Sequence, residues 1–145
     1  MWLLHLVGDV HQPLHCATRV SAAHTDGDRG GNDELVCTSP TRCTVKLHAF
    51  WDDLPGTNSK VTSAITYAKA LPAADSTLAS ELDTHKWIEQ CSAEAKTDVY
   101  KAPIGAGDGP FTITAAYRTS SSTLATKQIA LAGERLAGIL NAALK

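Results

Sequence analysis

The apolar and polar positions of the chain change rhythm several times, and each change predicts an element. Trp2-Leu3-Leu4-His5-Leu6-Val7-Gly8-Asp9 is an apolar run with two polar residues set into it. It predicts a buried helix over 1–12, ended by Pro13, which lacks an N–H and biases Gln12 away from helical geometry. From Cys16 to Asn32, Ser, Asp, Gly and Asn dominate, so this stretch reads as a flexible loop, the natural lip of a pocket. His24 lies in it as a solvated side chain. Asp33 to Cys37 and Cys43 to Leu47 predict a short β-hairpin across Ser39-Pro40.

Beyond the hairpin the period turns helical. A helix opens at His48 and runs to about Leu54, where Pro55-Gly56 stops it. Asn58 or Ser59 caps the next, over 60–71, ended by Pro72. A longer one starts at Asp75 or Ser76 and reaches about Lys101, with Leu78, Leu82 and Ile88 as its apolar stripe and Trp87 nearby. His85 there reads as a surface or core residue. Residues 102–110 form a Gly/Pro loop. The last helix spans Thr114 to Ala143, loosened near Ser120 to Ser122. Ile129, Leu131, Ala132, Leu136, Ile139 and Leu140 make its core face, with Gln128, Glu134 and Arg135 outward.

The candidate chemistry sits in the first helix and the one after the hairpin. Each carries a His followed four residues later by an Asp: His5 with Asp9, and His48 with Asp52. Residues four apart share a helix face, so each pair offers an imidazole and a carboxylate to one point, a donor set suited to a zinc-type cation. A lone His-x-x-x-Asp is as readily a surface pair. Two such pairs with apolar flanks favour a metal, because a buried Asp must be paired or coordinate an ion. Past Pro13, His15 leaves on a different heading from His5 and Asp9, toward a separate ion. His11 then remains a surface residue or a support to the ligands.

HLVGDVHQPLH, Gly30-Gly31-Asn32 and KLHAFWD, in this order and spacing, resemble the signature of the S1/P1 nuclease family of zinc-dependent phosphodiesterases, related in fold to zinc-dependent phospholipase C. Ala132-Gly133-Glu134-Arg135-Leu136-Ala137 with Leu140-Asn141 is similar to the family's last helix. The resemblance implies a mainly α fold with a small hairpin near the metal site. It also implies a three-zinc cluster and single-stranded DNA or RNA as substrate, cut to 5′-phosphorylated products. By position, His5 matches a ligand of the first zinc, and Asp9 the carboxylate bridging first and third. His15, His48 and Asp52 match the protein ligands of the second. Gly31 and Asn32 fall at the base-binding loop, and Arg29 stands where the family can place an apolar residue stacking on the base. The resemblance covers nearly all of residues 1–145 but only about the second half of the family domain. Residues 1–145 are therefore expected to be a single partial domain, with one full zinc ligand set, one half-set and weak activity. A phospholipase C-like phosphodiesterase and a non-catalytic zinc-binding remnant are the alternatives; Gly30-Gly31-Asn32 favours the nuclease.

Composition changes the picture in two respects. With 13 Lys and Arg against 15 Asp and Glu, the net charge is −2, and there is no basic stripe of the kind that supplies non-specific affinity for nucleic acid. The positive charge for a phosphate substrate must then come from bound metal. Four cysteines without a Cys-x-x-Cys spacing argue against a cysteine zinc site. Cys37 and Cys43 flank a turn and can close a disulfide or remain thiols, and Cys16 and Cys91 can pair with each other or elsewhere. No stretch approaches the ~20 apolar residues of a membrane span, and no leader peptide is evident. The family resemblance implies a secreted or periplasmic monomer.

Overall fold

The computed structural model describes residues 2–105 and 107–144; Met1 and Ala106, which fall in the predicted first helix and the Gly/Pro loop, lie outside them. Helix α1 (Trp2–Asp9) gives way through a turn to a single 3-10 turn at Pro13–His15. Strands β1 (Leu35–Cys37) and β2 (Val45–Lys46) pair antiparallel, as the hairpin predicts, with Leu35 opposite Lys46. A third strand, β3 (Phe111–Thr112), joins the other edge of β1 in parallel. Two residues next to a Gly/Pro loop carry too little alternation to announce that strand. Helices α2 (Leu47–Asp52), α3 (Val61–Ala70), α4 (Ser76–Ser80), α5 (Thr84–Glu94) and α6 (Ala115–Ala143) complete a mainly α fold.

The predicted 75–101 helix is split. Asp75 caps α4 by accepting from Thr77 and Leu78 N–H, and Asp83 caps α5 by accepting from His85 N–H. A second good cap inside the run lets the chain restart. Leu78, Leu82 and Ile88 consequently stay half exposed, while Trp87 and Cys91 are buried. α5 continues through a π turn at Ala95–Val99. α6 matches its predicted span, capped by Thr114, whose hydroxyl accepts from Tyr117 N–H. It is not loosened near Ser120: the hydroxyls of Ser120, Thr123 and Thr126 bond back to carbonyls one turn earlier.

The core gathers Leu14, Val36, Leu47, Phe50, Trp51, Ala95, Val99, Ile104 and Tyr117. Inside it, Trp51 Nε1–H donates to the Tyr117 hydroxyl at 3.2 Å, and that hydroxyl donates to Val99 O at 2.8 Å. Burial pushes the Tyr117 phenol up to about 12. The buried side of α6 is rotated from the predicted face: it carries Tyr117, Ser121, Gln128, Ala130, Leu131 and Arg135, and Leu140 is exposed. Arg135 and Gln128 are inside because both have partners. Arg135 donates to Leu78 O, to Gln90 Oε1 and to His11 Nε2, and stacks over Trp87. His11 is likewise buried, its Nδ1–H donating to Val7 O at 2.7 Å, so it is neither a surface residue nor a ligand. Two disulfides form, Cys16–Cys91 and Cys37–Cys43.

Candidate metal centre

α2 is the anchored side of the site. Leu47, Phe50 and Trp51 sink into the core, which turns His48 and Asp52 to the opposite side of the helix. His48 Nε2 and Asp52 Oδ2 are 3.6 Å apart. The His48 ring is oriented from behind: its Nδ1 lies 2.7 Å from Gly30 O. A carbonyl can only accept, so Nδ1 carries the proton and Nε2 presents a lone pair, the state a metal ligand requires.

Gly30 and Gly31 make that approach possible. Both are in the left-handed region, at φ +64° and +75°, and a Cβ on Gly30 would meet Leu14 O at 2.4 Å. Gly31 O accepts from His48 N–H at 3.2 Å. Their loop is pinned where a flexible lip is predicted. Asp28 is fully buried, accepting from Arg19 N–H at 2.9 Å and from the Tyr100 hydroxyl at 2.7 Å. Glu34, equally buried, pairs with Arg19 and stands 3.3 Å from His24, which is half-buried and not solvated. Burial and the bond to Asp28 raise the Tyr100 phenol.

His15 groups with His48 and Asp52 and not with His5, yet stays within reach of Asp9. The 3-10 turn after Pro13 swings it back between the two pairs, with Nδ1 3.8 Å from Asp9 Oδ2 and Nε2 3.9 Å from Asp52 Oδ1. Its ring centre lies 4.8 Å from that of His48. Gln12 sets the turn: its Oε1 accepts from Leu14 N–H at 2.6 Å, while its Nε2–H donates to Asp52 Oδ1 at 3.0 Å. The five candidate residues therefore adjoin, His5 through Asp9 at 3.2 Å. Neither Asp is buried: their side chains are 33% and 49% exposed. α1 is not a buried helix either, since Val7 is its one buried residue and Trp2 is 77% exposed. Convergence of donor atoms, not burial, is what favours a metal here.

One donor atom each from His15, His48 and Asp52 lie within 4.8 Å of one another, a group able to hold a metal ion. Two imidazole nitrogens and a carboxylate oxygen are a suitable tetrahedral set with one position open; ligand atoms around one zinc stand roughly 3.3 Å apart, so small side-chain rotations would close the group. The charges already respond to one another. The Asp52 carboxylate raises His15, and His15, followed by the Gln12 amide, holds Asp52 below the usual carboxylate range. Beside the group is a cavity of about 270 Å³ walled by Asp9, Gln12, His15, Trp51 and Asp52 from one side and by Ile129 of α6. A roomier one of about 480 Å³ between Pro72 and Leu131 has no imidazole in its wall. Donor chemistry, not volume, selects the site.

Comparison with protein families places the chain: the model for S1/P1 Nuclease matches residues 1–145, the whole chain. The chain belongs to the S1/P1 nuclease family. No curated protein and no solved structure matches it significantly. Membership makes the chain one of a metal-dependent nuclease family and agrees with the mainly α fold and its small sheet. In this S1/P1 nuclease family chain, the base-side candidates sit close behind His48. Asn32 Nδ2–H donates to Arg29 O at 3.0 Å, and exposed Arg29, at φ 51°, is paired with Asp33. Reading the residues alone misses Gln12 and the Gly30 carbonyl. The proline after Gln12 marks a turn start where a side-chain acceptor is useful, and that was the available signal. A backbone carbonyl leaves none.

Proposed function

We propose that this chain is a zinc-dependent phosphodiesterase that hydrolyses single-stranded DNA and RNA to 5′-phosphorylated products. The observation that carries the reading is the mutual approach of His15, His48 and Asp52 donor atoms within 4.8 Å, in a chain of the S1/P1 nuclease family. His15, His48 and Asp52 would hold one zinc, and His5 and Asp9 would supply part of a second set. Zinc in such a site supplies a Lewis acid that brings the pKa of water toward neutrality and offsets charge on the departing oxygen.

The chain's own residues prepare that chemistry. The Gly30 carbonyl keeps the His48 proton on Nδ1. Gln12 steadies the Asp52 carboxylate. Asp9, 3.2 Å from His5 and 3.8 Å from His15, would serve as the catalytic carboxylate. Gly31, Asn32 and Arg29 would meet the base, and a base can enter their loop only when unstacked, which favours single strands. Two disulfides fit an oxidising compartment, and we take the chain to be a secreted or periplasmic monomer. No helix among the described residues is long and apolar enough to cross a membrane.

With one full ligand set and one half-set, cleavage by residues 1–145 alone should be weak. The test is zinc content and cleavage of single-stranded DNA by this chain and by His48→Ala. The expected result is bound zinc and slow, chelator-sensitive cleavage yielding 5′-phosphates, both lost in His48→Ala. Absence of zinc binding, or cleavage equal in the variant, would overturn the reading.

A further inference from the structure

The cavity on the opposite side of α2 from the metal ligands carries chemistry that the proposed site does not use. It measures about 380 Å³, within the ~300–1,000 Å³ usual for ligand sites, and its walls include Thr38, Arg42, Phe50, Asp53, Arg118 and Ser122. Arg42 and Arg118 are 76 positions apart in the sequence, so only the fold brings them to one cavity. Among the described residues neither forms an ion pair; the arginines that do are Arg19 and Arg29. Against the expectation that metal alone supplies positive charge, two arginines and a single carboxylate, Asp53, line one hollow, which is net positive on a negative molecule.

Arg118 is held without being saturated, and Arg42 rides on a closed turn. The Arg118 guanidinium lies 5.2 Å from the Phe50 ring centre, and its one recorded hydrogen bond is a long 3.5 Å one to Thr38 O. Most of its five donors thus remain available. Arg42 sits in a turn closed by the Cys37–Cys43 disulfide, its N–H donating to Ser39 O and its carbonyl accepting from Thr38 N–H. The staple limits where Arg42 can go. A guanidinium with open donors in a fixed fork suits a phosphate better than any other common group.

Position gives the ligand its identity. α2 is the shared wall, with Phe50 and Asp53 toward this cavity and His48 and Asp52 toward the metal centre. The two sites are therefore about one helix diameter apart, ~10 Å. We infer that Arg42 and Arg118 form a phosphate subsite that holds the substrate strand at a phosphodiester other than the one being cut. This rests on the nuclease reading for its substrate, but not for its test.

The experiment measures binding of a short non-cleavable single-stranded oligonucleotide, in chelator, as a function of salt. Each phosphate contact to a single strand adds about 0.7 to the slope of log K against log salt. The Arg42→Gln/Arg118→Gln variant should lose about 0.7 of that slope, the share of the one phosphodiester the pair neutralises. Arg42→Lys/Arg118→Lys should keep the slope. Matching melting temperatures show that the exposed substitutions leave the fold intact. In parallel, inorganic phosphate should shift the Nε signals of both arginines in NMR spectra. Phosphate shifts with an unchanged oligonucleotide slope would mean a site for free phosphate only and overturn the inference, as would an absence of both. Since no cleavage is read, a failed nuclease assay leaves this result interpretable, and a changed slope does not depend on zinc.

Discussion

At the residue scale, the interior of this protein is notable for polar side chains satisfied by one another. From His11 the bonds run to Arg135, on to Gln90, and from Gln90 to Glu94, which also accepts from Gln128. These residues were illegible in the sequence because Gln and Arg on a helix ordinarily mark its wet side. Their burial depends on partners that come from the turn after α1 and from α4 and α5. The far end of the run is imperfect: Glu94 Oε2 is buried with no partner, and burial raises the Glu94 carboxyl above its ordinary value. The sign follows directly. A carboxyl whose folded value exceeds its unfolded one binds more protons in the fold, so its contribution is fully present below the unfolded pKa and is lost as pH rises through the folded one. Glu94→Gln keeps an acceptor for Gln90 and Gln128 and removes the charge. Its urea midpoint should exceed the parent's at neutral pH, and the advantage should vanish on acidification below the ordinary glutamate range. A variant equally or less stable at pH 7 would contradict this account.

At the scale of elements, the elements with strong local signals were legible: the hairpin, α2, α3 and α6 lie close to where periodicity, caps and prolines place them. The loop from Cys16 to Asn32 was misjudged because composition reports backbone freedom, not the buried Asp28 and Glu34 that remove it. The five candidate residues were named from spacing and do adjoin, but no rule of spacing foretells that a 3-10 turn returns His15 toward Asp9. That pinned loop and the 3-10 turn meet at Gly30. Gly30→Ala would push a methyl into Leu14 O, one residue before His15, and pull the carbonyl that orients His48. The left-handed backbone alone costs an alanine about 1–2 kcal/mol, and disturbing the group behind a metal-bound imidazole lowers affinity ~10–100-fold. Zinc competition titrations should show such a loss for Gly30→Ala and none for Gly8→Ala, whose Cβ meets nothing within 4 Å.

At the scale of the whole molecule, the Cys16–Cys91 bridge ties the ligand-bearing N-terminal segment to α5 across 75 positions. In the chain-entropy view a closure of that length stabilises by about 4 kcal/mol. Cys16→Ser/Cys91→Ser should therefore lower the unfolding free energy by that order in denaturant titration. Cys37→Ser/Cys43→Ser, which opens a six-residue separation, should lower it by less.

The donor atoms also stand on unequal foundations. His48 and Asp52 ride a helix with three side chains in the core, whereas His5 and Asp9 ride one that lies along α6 with Val7 as its one buried residue. Segments with few buried contacts open at lower free energy than the rest. The proposed cluster accordingly has a fixed jaw and a loose jaw, and an ion held between them would be released more readily by opening on the side of the first helix than on that of the second.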